Sequence, residues 1–226
     1  MLSFAGRTMA PVLPPIPHRI GGFGGTAGLA AYLRAEGVDL LIDATHPFAN
    51  RMSVNAAEAA ESAGMPRLVL QRGPWTRIAG DDWREVPSVI EAAEAIGAAP
   101  ARVFLTIGRQ DLLPFRDIAP QHAYLIRSVD PPDTDLLPPV ADILTGRGPF
   151  DAAAERDLME SRKISVLVTK NSGGADGKLM AARALGLPVI MVARQPPPPG
   201  KTVATASQAL DWIARHAGRA PVARGA

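Results

Sequence analysis

The chain contains no cysteine, which excludes disulfides, thiolate nucleophiles and cysteine metal sites. No apolar run approaches the length that spans a membrane. The N-terminus lacks a charged segment followed by an apolar core, so it does not read as a secretory signal. Charge of one sign is also missing: 24 basic and 22 acidic residues are mixed along the chain, and no stripe suited to nucleic acid stands out. His18, His122 and His216 are scattered without ligand-like spacing, so no protein-held metal is expected. A Gly-x-Ser-x-Gly elbow and a glycosidase-type carboxylate pair are not apparent. A cytoplasmic protein without nucleic-acid or membrane partners is the expectation that remains.

What is present suits a globular protein: 226 residues, 47% hydrophobic and 20% charged, enough for one large domain or two small ones. The organising stretch is 38–66. Val38, Leu40, Leu41 and Ile42 form a short apolar run of the kind a parallel sheet buries on both faces. The polar turn Asp43-Ala44-Thr45-His46-Pro47-Phe48 follows, then an alanine-rich helix over 51–63, stopped by Gly64 and Pro66. A new strand starts at Arg67, which completes a strand-helix-strand unit. In open α/β sheets ligands sit beyond the carboxyl ends of strands, and the Asp43 turn occupies such an end.

The rest of the chain repeats this grammar. Residues 2–5 read as the end of a strand, and four prolines within 9–18 exclude a regular helix there. Gly21-Gly22-Phe23-Gly24-Gly25 leads into a short amphipathic helix through Leu29, Tyr32 and Leu33. Trp75 and Trp83 read as part of a polar connection, and a helix resumes near Ser88. Further strands are expected at 103–107, 123–129, 143–145, 165–169 and 188–193, with helices at 151–162, 176–185 and 207–216. Gly97-Ala98-Ala99-Pro100 is the best linker, which divides the chain into domains 1–98 and 101–226.

Several loops carry chemistry. Asp43, Thr45 and His46 could face a ligand, His46 donating a hydrogen bond or proton; Asp43 equally suits a turn cap. The loop around Gly22 reads either as a phosphate cradle or as a tight connection. Arg7, Arg109, Arg147 and Lys170 each follow or end an apolar strand beside glycine. Converging there, they would suit a polyanion; taken singly, each is an ordinary solvated loop charge. The segment from Lys170 to Lys178 looks superficially like a nucleoside-triphosphate loop, but Lys178 is followed by Leu179 and the register is wrong. Backbone N–H groups around Gly173 and Gly174 could still hold an anion, or form a plain strand-to-helix turn.

Together these landmarks resemble the precorrin-6A reductase family of corrin biosynthesis. The matching segments are Ala5-Gly6-Arg7-Thr8, Gly21-Gly22-Phe23-Gly24, Asp43-Ala44-Thr45-His46-Pro47-Phe48-Ala49, Gly108-Arg109, Arg147-Gly148-Pro149-Phe150, and Thr169-Lys170-Asn171-Ser172-Gly173-Gly174 with Lys178. The resemblance implies an α/β fold of two Rossmann-like domains with mostly parallel sheets and an interdomain cleft that binds NADPH. It implies NADPH-dependent reduction of precorrin-6A, a polycarboxylate tetrapyrrole, to precorrin-6B. Gly6, Arg7, Thr8, Gly22, Thr45 and His46 would then line the cofactor, and His46, a cleft water or substrate-borne acidity would deliver the proton, with His46 the one candidate catalytic side chain. Asp43, Arg109, Arg147, Lys170, Ser172, Gly173 and Lys178 would line the substrate. Family members begin with a strand and Gly-Gly-Thr loop before the Ala-Gly-Arg-Thr segment, so the first domain is expected to lack its opening strand. Two alternatives stand beside this one: reduction of the cobalt-bearing substrate, and non-catalytic nucleotide or tetrapyrrole binding. A monomer is compatible with all three.

Overall fold

The computed structural model describes residues 1–6, 9 and 11–216. The chain forms two compact units: residues 1–73 with 195–226, and residues 74–194. The chain therefore crosses at Gly73/Pro74 and Arg194/Gln195, and this division differs from the expected 1–98 and 101–226. Gly97–Pro100, expected as the linker, lies inside the second unit.

The first unit contains β1 (Leu2–Phe4), β2 (His18–Ile20), α1 (Gly25–Ala35), β3 (Leu41–Asp43), α2 (Asn50–Ser62), β4 (Arg67–Leu70), β11 (Lys201–Val203) and α7 (Ala206–His216). β1 and β2 form a two-stranded parallel sheet, while β3, β4 and β11 form a three-stranded parallel one. Strand geometry sends successive side chains to opposite faces, and the packing follows it. Leu41 packs with Leu29, Leu33, Ala56 and Ala59 of α1 and α2. Leu40 and Ile42 turn the other way, onto Leu68 and Trp212 of α7. This two-sided cover is why the run around β3 is apolar without alternation. Small alanines on α2 let it approach closely: Ala59 is fully buried.

β3 starts later than the apolar run suggests, because Val38 finishes α1 instead. Gly37 takes a left-handed φ of 58°, its N–H bonds to Arg34 O, and the Val38 N–H bonds to Leu33 O at 3.0 Å. That is a Schellman closure, which satisfies two of the helix's last carbonyls.

The second unit contains β5 (Trp83–Val86), α3 (Val89–Ala95), β6 (Arg102–Thr106), α4 (Leu113–Asp117), β7 (Ala123–Ser128), β8 (Ala141–Thr145), α5 (Ala152–Ser161), β9 (Val166–Lys170), α6 (Gly177–Ala184) and β10 (Val189–Val192). Its six strands lie in the order β5-β10-β9-β6-β7-β8, every pair parallel. Trp83 is therefore in a strand and not in a polar connection; Trp83 and Val86 are buried while Arg84 and Glu85 are exposed. Phe104, Leu125, Leu167 and Met191 of the sheet meet Met159 of α5 and Leu179 of α6 in one core. Full burial of each such side chain contributes about 1.5–3 kcal/mol.

The chain runs outward from β6 to β8, then crosses back to place β9 on the other side of β6. The order thus reverses between β6 and β9. Beyond the carboxyl ends of those two strands lies the switch point of an open parallel sheet, where ligands bind.

Candidate functional site

The switch point of the second unit gathers three loops. After β6 come Gly108, with φ 94°, then Arg109 and Asp111. β9 ends on Lys170, and Asn171, Ser172 and Gly173 follow, where Gly173 and Gly174 take φ of 67° and 83°. The Lys170 Nζ donates to the Asp111 carboxylate, so one ion pair ties the two loops across the strand reversal. Arg109 donates to the Pro131 carbonyl at 3.3 Å, which ties in the connection after β7. Arg109 and Lys170 are half-buried, as are Ser172 and Lys178.

Asn171, part of the matching segment, is given no role of its own by the sequence. Its side chain accepts from the Trp75 N–H at 2.8 Å and donates to the Trp75 carbonyl at 3.0 Å, as a neighbouring strand would. Trp75 Nε1 then donates to Gly174 O at 2.9 Å, and Lys178 Nζ lies 4.7 Å above the Trp75 ring. Trp75, in the connection between β4 and β5, thus backs the loop that follows β9. Lys178 has a cation–π contact there.

The third loop joins β8 to α5. Arg147 is exposed on it. Asp151 caps α5, accepting from Ala153 N and Ala154 N at 2.9 and 3.3 Å. A Cβ on Gly177 would fall 2.6 Å from Phe150 O, so glycine there allows the start of α6 to press against this loop. Within the sheet, Arg127 of β7 makes a two-pronged ion pair with Glu155 of α5, and its guanidinium lies 3.7 Å from the Phe150 ring centre.

In the first unit the Asp43 turn forms as a cap. Asp43 Oδ1 accepts from Thr45 N at 3.1 Å and from Thr45 Oγ1 at 2.8 Å, and Ser53 Oγ stands 3.0 Å from Thr45 Oγ1. Asp43 is 4% exposed, and its Oδ2 has no hydrogen-bond partner among the described residues. A buried carboxylate oxygen in that state is costly and invites a donor. His46 is exposed, and its Nδ1 accepts from the Phe48 N–H at 3.3 Å. A neutral ring in this geometry carries its proton on Nε2. His46 and Thr45 line an open depression with Pro47, Gln71, Arg72 and Ala206.

The glycine loop precedes α1. Gly24 and Gly25 both take positive φ, and α1 starts with no side-chain cap and no acidic residue in its first turn. Space is open within 4 Å of the Cβ positions of Gly22, Gly24 and Gly25. Arg19, another residue the sequence did not mark, holds the loop by donating to Gly21 O and Gly22 O at 2.9 and 3.1 Å. Its guanidinium also lies 3.9 Å from the Phe23 ring centre. Gly6 is exposed with φ 73°; Arg7 and Thr8 lie outside the described residues.

The structure therefore brings Arg109, Lys170, Ser172, Gly173 and Lys178 into one neighbourhood of the second unit, with the Arg147 loop pressed against α6. Asp43, Thr45 and His46 form a second group in the first unit.

Comparison with known proteins places the chain beside a set of named reductases. The family profile described as "Precorrin-6x reductase CbiJ/CobK" matches residues 1–214. A Rhodobacter capsulatus protein named precorrin-6A reductase is 50% identical over 218 residues, 96% of this chain and 86% of its own. A Sinorhizobium protein of the same name is 49% identical over 94% of this chain and 82% of its own. A Priestia megaterium protein named cobalt-precorrin-6A reductase is 31% identical over 72% of this chain and 68% of its own. A solved structure titled "CobK precorrin-6A reductase" superposes with a TM-score of 0.90 at 50% identity, over 95% of this chain and 86% of that one.

Proposed function

The chain belongs to the precorrin-6x reductase family CbiJ/CobK, and from that premise we propose that it reduces precorrin-6A to precorrin-6B in cobalamin biosynthesis, with NADPH as reductant. The observation that carries the reading is the 50% identity to a named precorrin-6A reductase along 96% of the chain. The metal-free substrate is favoured over the cobalt-bearing one by a specific difference. Relatives named for the former are 42–50% identical, and those named for the latter 27–31%.

The residues present fit an anionic dinucleotide. The first turn of α1, without a side-chain cap and opened by Gly24 and Gly25 and by space in front of Gly22, offers N–H groups to phosphate oxygens. Gly22 would hold the phosphates, Gly6, Arg7 and Thr8 the adenosine-side phosphate, and Thr45 and His46 the nicotinamide end. NADPH supplies the hydride when bound. Arg109, Arg147, Lys170 and Lys178 serve the macrocycle's carboxylates, arginine gripping two oxygens at once. Ser172 Oγ and the Gly173 N–H add neutral donors. Orientation is the larger part of what such residues contribute, because hydride transfer needs the two reacting carbons held in line. The reduction also takes up a proton; His46, when protonated to the imidazolium, is one candidate donor, beside a water or an acidic position of the substrate itself. Asp43, itself buried, holds the turn that carries Thr45 and His46.

The deciding experiment mixes purified chain, NADPH and precorrin-6A and follows NADPH oxidation together with formation of the reduced macrocycle. Turnover supports the reading. Heat of NADPH binding by calorimetry without turnover would instead mark a non-catalytic binding protein. Faster turnover of the cobalt-bearing substrate would move the assignment to the other branch.

A further inference from the structure

We infer that the buried Arg127–Glu155 pair is a positioning device: through Phe150 it fixes the loop that carries Arg147 and so sets the affinity for the substrate's carboxylates. The inference rests on the reading of Arg147 as a carboxylate ligand.

Arg127 is 7% exposed and Glu155 only 2% exposed. Taking two charges out of water costs more than an apolar pair of the same size, so a buried ion pair is poor evidence of stabilisation. Its geometry suggests another use. Both terminal guanidinium nitrogens donate to Glu155, Nη2 to Oε2 at 2.8 Å and Nη1 to Oε1. A fork held at both tines has a fixed plane. Glu155 is itself placed by α5, one turn beyond the Asp151 cap.

The fixed plane carries an aromatic ring. Phe150 lies 3.7 Å from Arg127 Cζ, within cation–π range, and Phe104 lies 4.9 Å away. The loop curls around the same ring: the Cβ positions of Gly146 and Gly148 fall 3.4 and 3.3 Å from Phe150 ring atoms. Arg147 sits between those two glycines. On the backbone side, Phe150 O is 2.6 Å from the Cβ position of Gly177 at the start of α6. Phe150 is thus a peg around which the loop is wound, and Arg127 holds the peg.

The test uses the full chain and three variants. Arg127→Met/Glu155→Met replaces the pair by apolar groups, an exchange that is often neutral for a buried ion pair, while removing the cation from Phe150. Phe150→Leu removes the ring, and Phe150→Tyr restores it. Two readouts are taken beside the unfolding midpoint. One is KM for precorrin-6A against kcat. The other is the rate of tryptic cleavage after Arg147 in the folded protein, mapped by mass spectrometry.

The double variant and Phe150→Leu are expected to raise KM about tenfold with kcat within about twofold, the pattern of lost binding and not of lost chemistry. Both are expected to be cut after Arg147 about tenfold faster than wild type at an unchanged midpoint, since cleavage follows local opening. Phe150→Tyr should behave as wild type. A folded Phe150→Leu protein with wild-type KM and wild-type cleavage would overturn the inference, as would a fall in kcat alone. If the double variant does not fold, Phe150→Leu decides. If wild type shows no turnover, the functional reading fails; the cleavage rates still decide whether the pair holds the loop.

Discussion

Lys170 at the end of β9 and Asp111 beyond β6 meet as an ion pair across the point where the strand order of the six-stranded sheet reverses. The lysine side chain is 14% exposed and the aspartate 41%. A substrate carboxylate approaching Lys170 therefore competes with one already in place. Lys170→Ala should raise KM for precorrin-6A about tenfold in steady-state assays, the loss of one charge-assisted contact. Asp111→Asn should lower KM by up to about fivefold, since a pair this exposed is worth up to about 1 kcal/mol. A rise in KM for Asp111→Asn would mean that the aspartate aims the lysine more than it competes for it.

Gly28 sits in α1 where a Cβ would fall 1.7 Å from Phe23 O. Alanine there must push the glycine loop away from the first turn of the helix. Gly28→Ala is expected to weaken NADPH binding about tenfold or more by titration calorimetry, a cost of about 1.4 kcal/mol. Gly37→Ala, at the far end of α1, should cost about 1 kcal/mol of stability through its left-handed φ of 58° without changing NADPH affinity. Equal losses of NADPH affinity in the two variants would remove the loop from the cofactor site.

Asn171 satisfies both backbone groups of Trp75 and is 8% exposed. Asn171→Ala leaves that N–H and carbonyl without their partner, which costs about 1–3 kcal/mol for a buried group. The urea midpoint should fall accordingly. Emission from Trp75 should shift to the red as water reaches the ring, and KM for the macrocycle should rise with it.

His122 supplies a pH dependence. The ring is 1% exposed, its Nδ1 accepts from the Ala101 N–H at 3.1 Å, and it lies edge-on to Tyr124. Burial holds its pKa below the ordinary value of 6.5, only partly opposed by the Gly97 backbone. Between the two values the unfolded chain binds the proton and the folded chain does not. The stabilisation is complete above pH about 6.5 and declines as pH falls below it, by up to about 1.4 kcal/mol per pH unit. Urea midpoints measured from neutral pH downward should show this slope, and His122→Asn should flatten it.

Much of this was legible in the sequence, for local reasons. The α2 boundaries follow from an alanine-rich run closed by Gly64 and Pro66, and β4 from a bare apolar run. Asp43 caps its own turn, as aspartate does when Thr45 stands two residues on. What escaped was decided over distance. β2 and β11 span only three residues each and take their identity from their partners. Trp83 looked polar in context until β10 paired with it. Asp111 meets Lys170 across 59 positions and Asn171 meets Trp75 across 96, separations that no local pattern reports. Arg127 did leave a trace: a lone arginine closing the buried run of β7 needs a counter-charge somewhere.

The inserted arrangement of the two units sets an order of manufacture. β11 pairs Lys201 with Leu68 of β4, so the three-stranded sheet waits for more than half the chain to be synthesised after its first strands emerge. The second unit closes earlier, when β10 arrives to join β5 to β9. On a ribosome, where domains fold as they emerge, the half bearing Lys170 and Arg147 is finished first. Residues 1–73 are held in waiting until α7 packs onto β4.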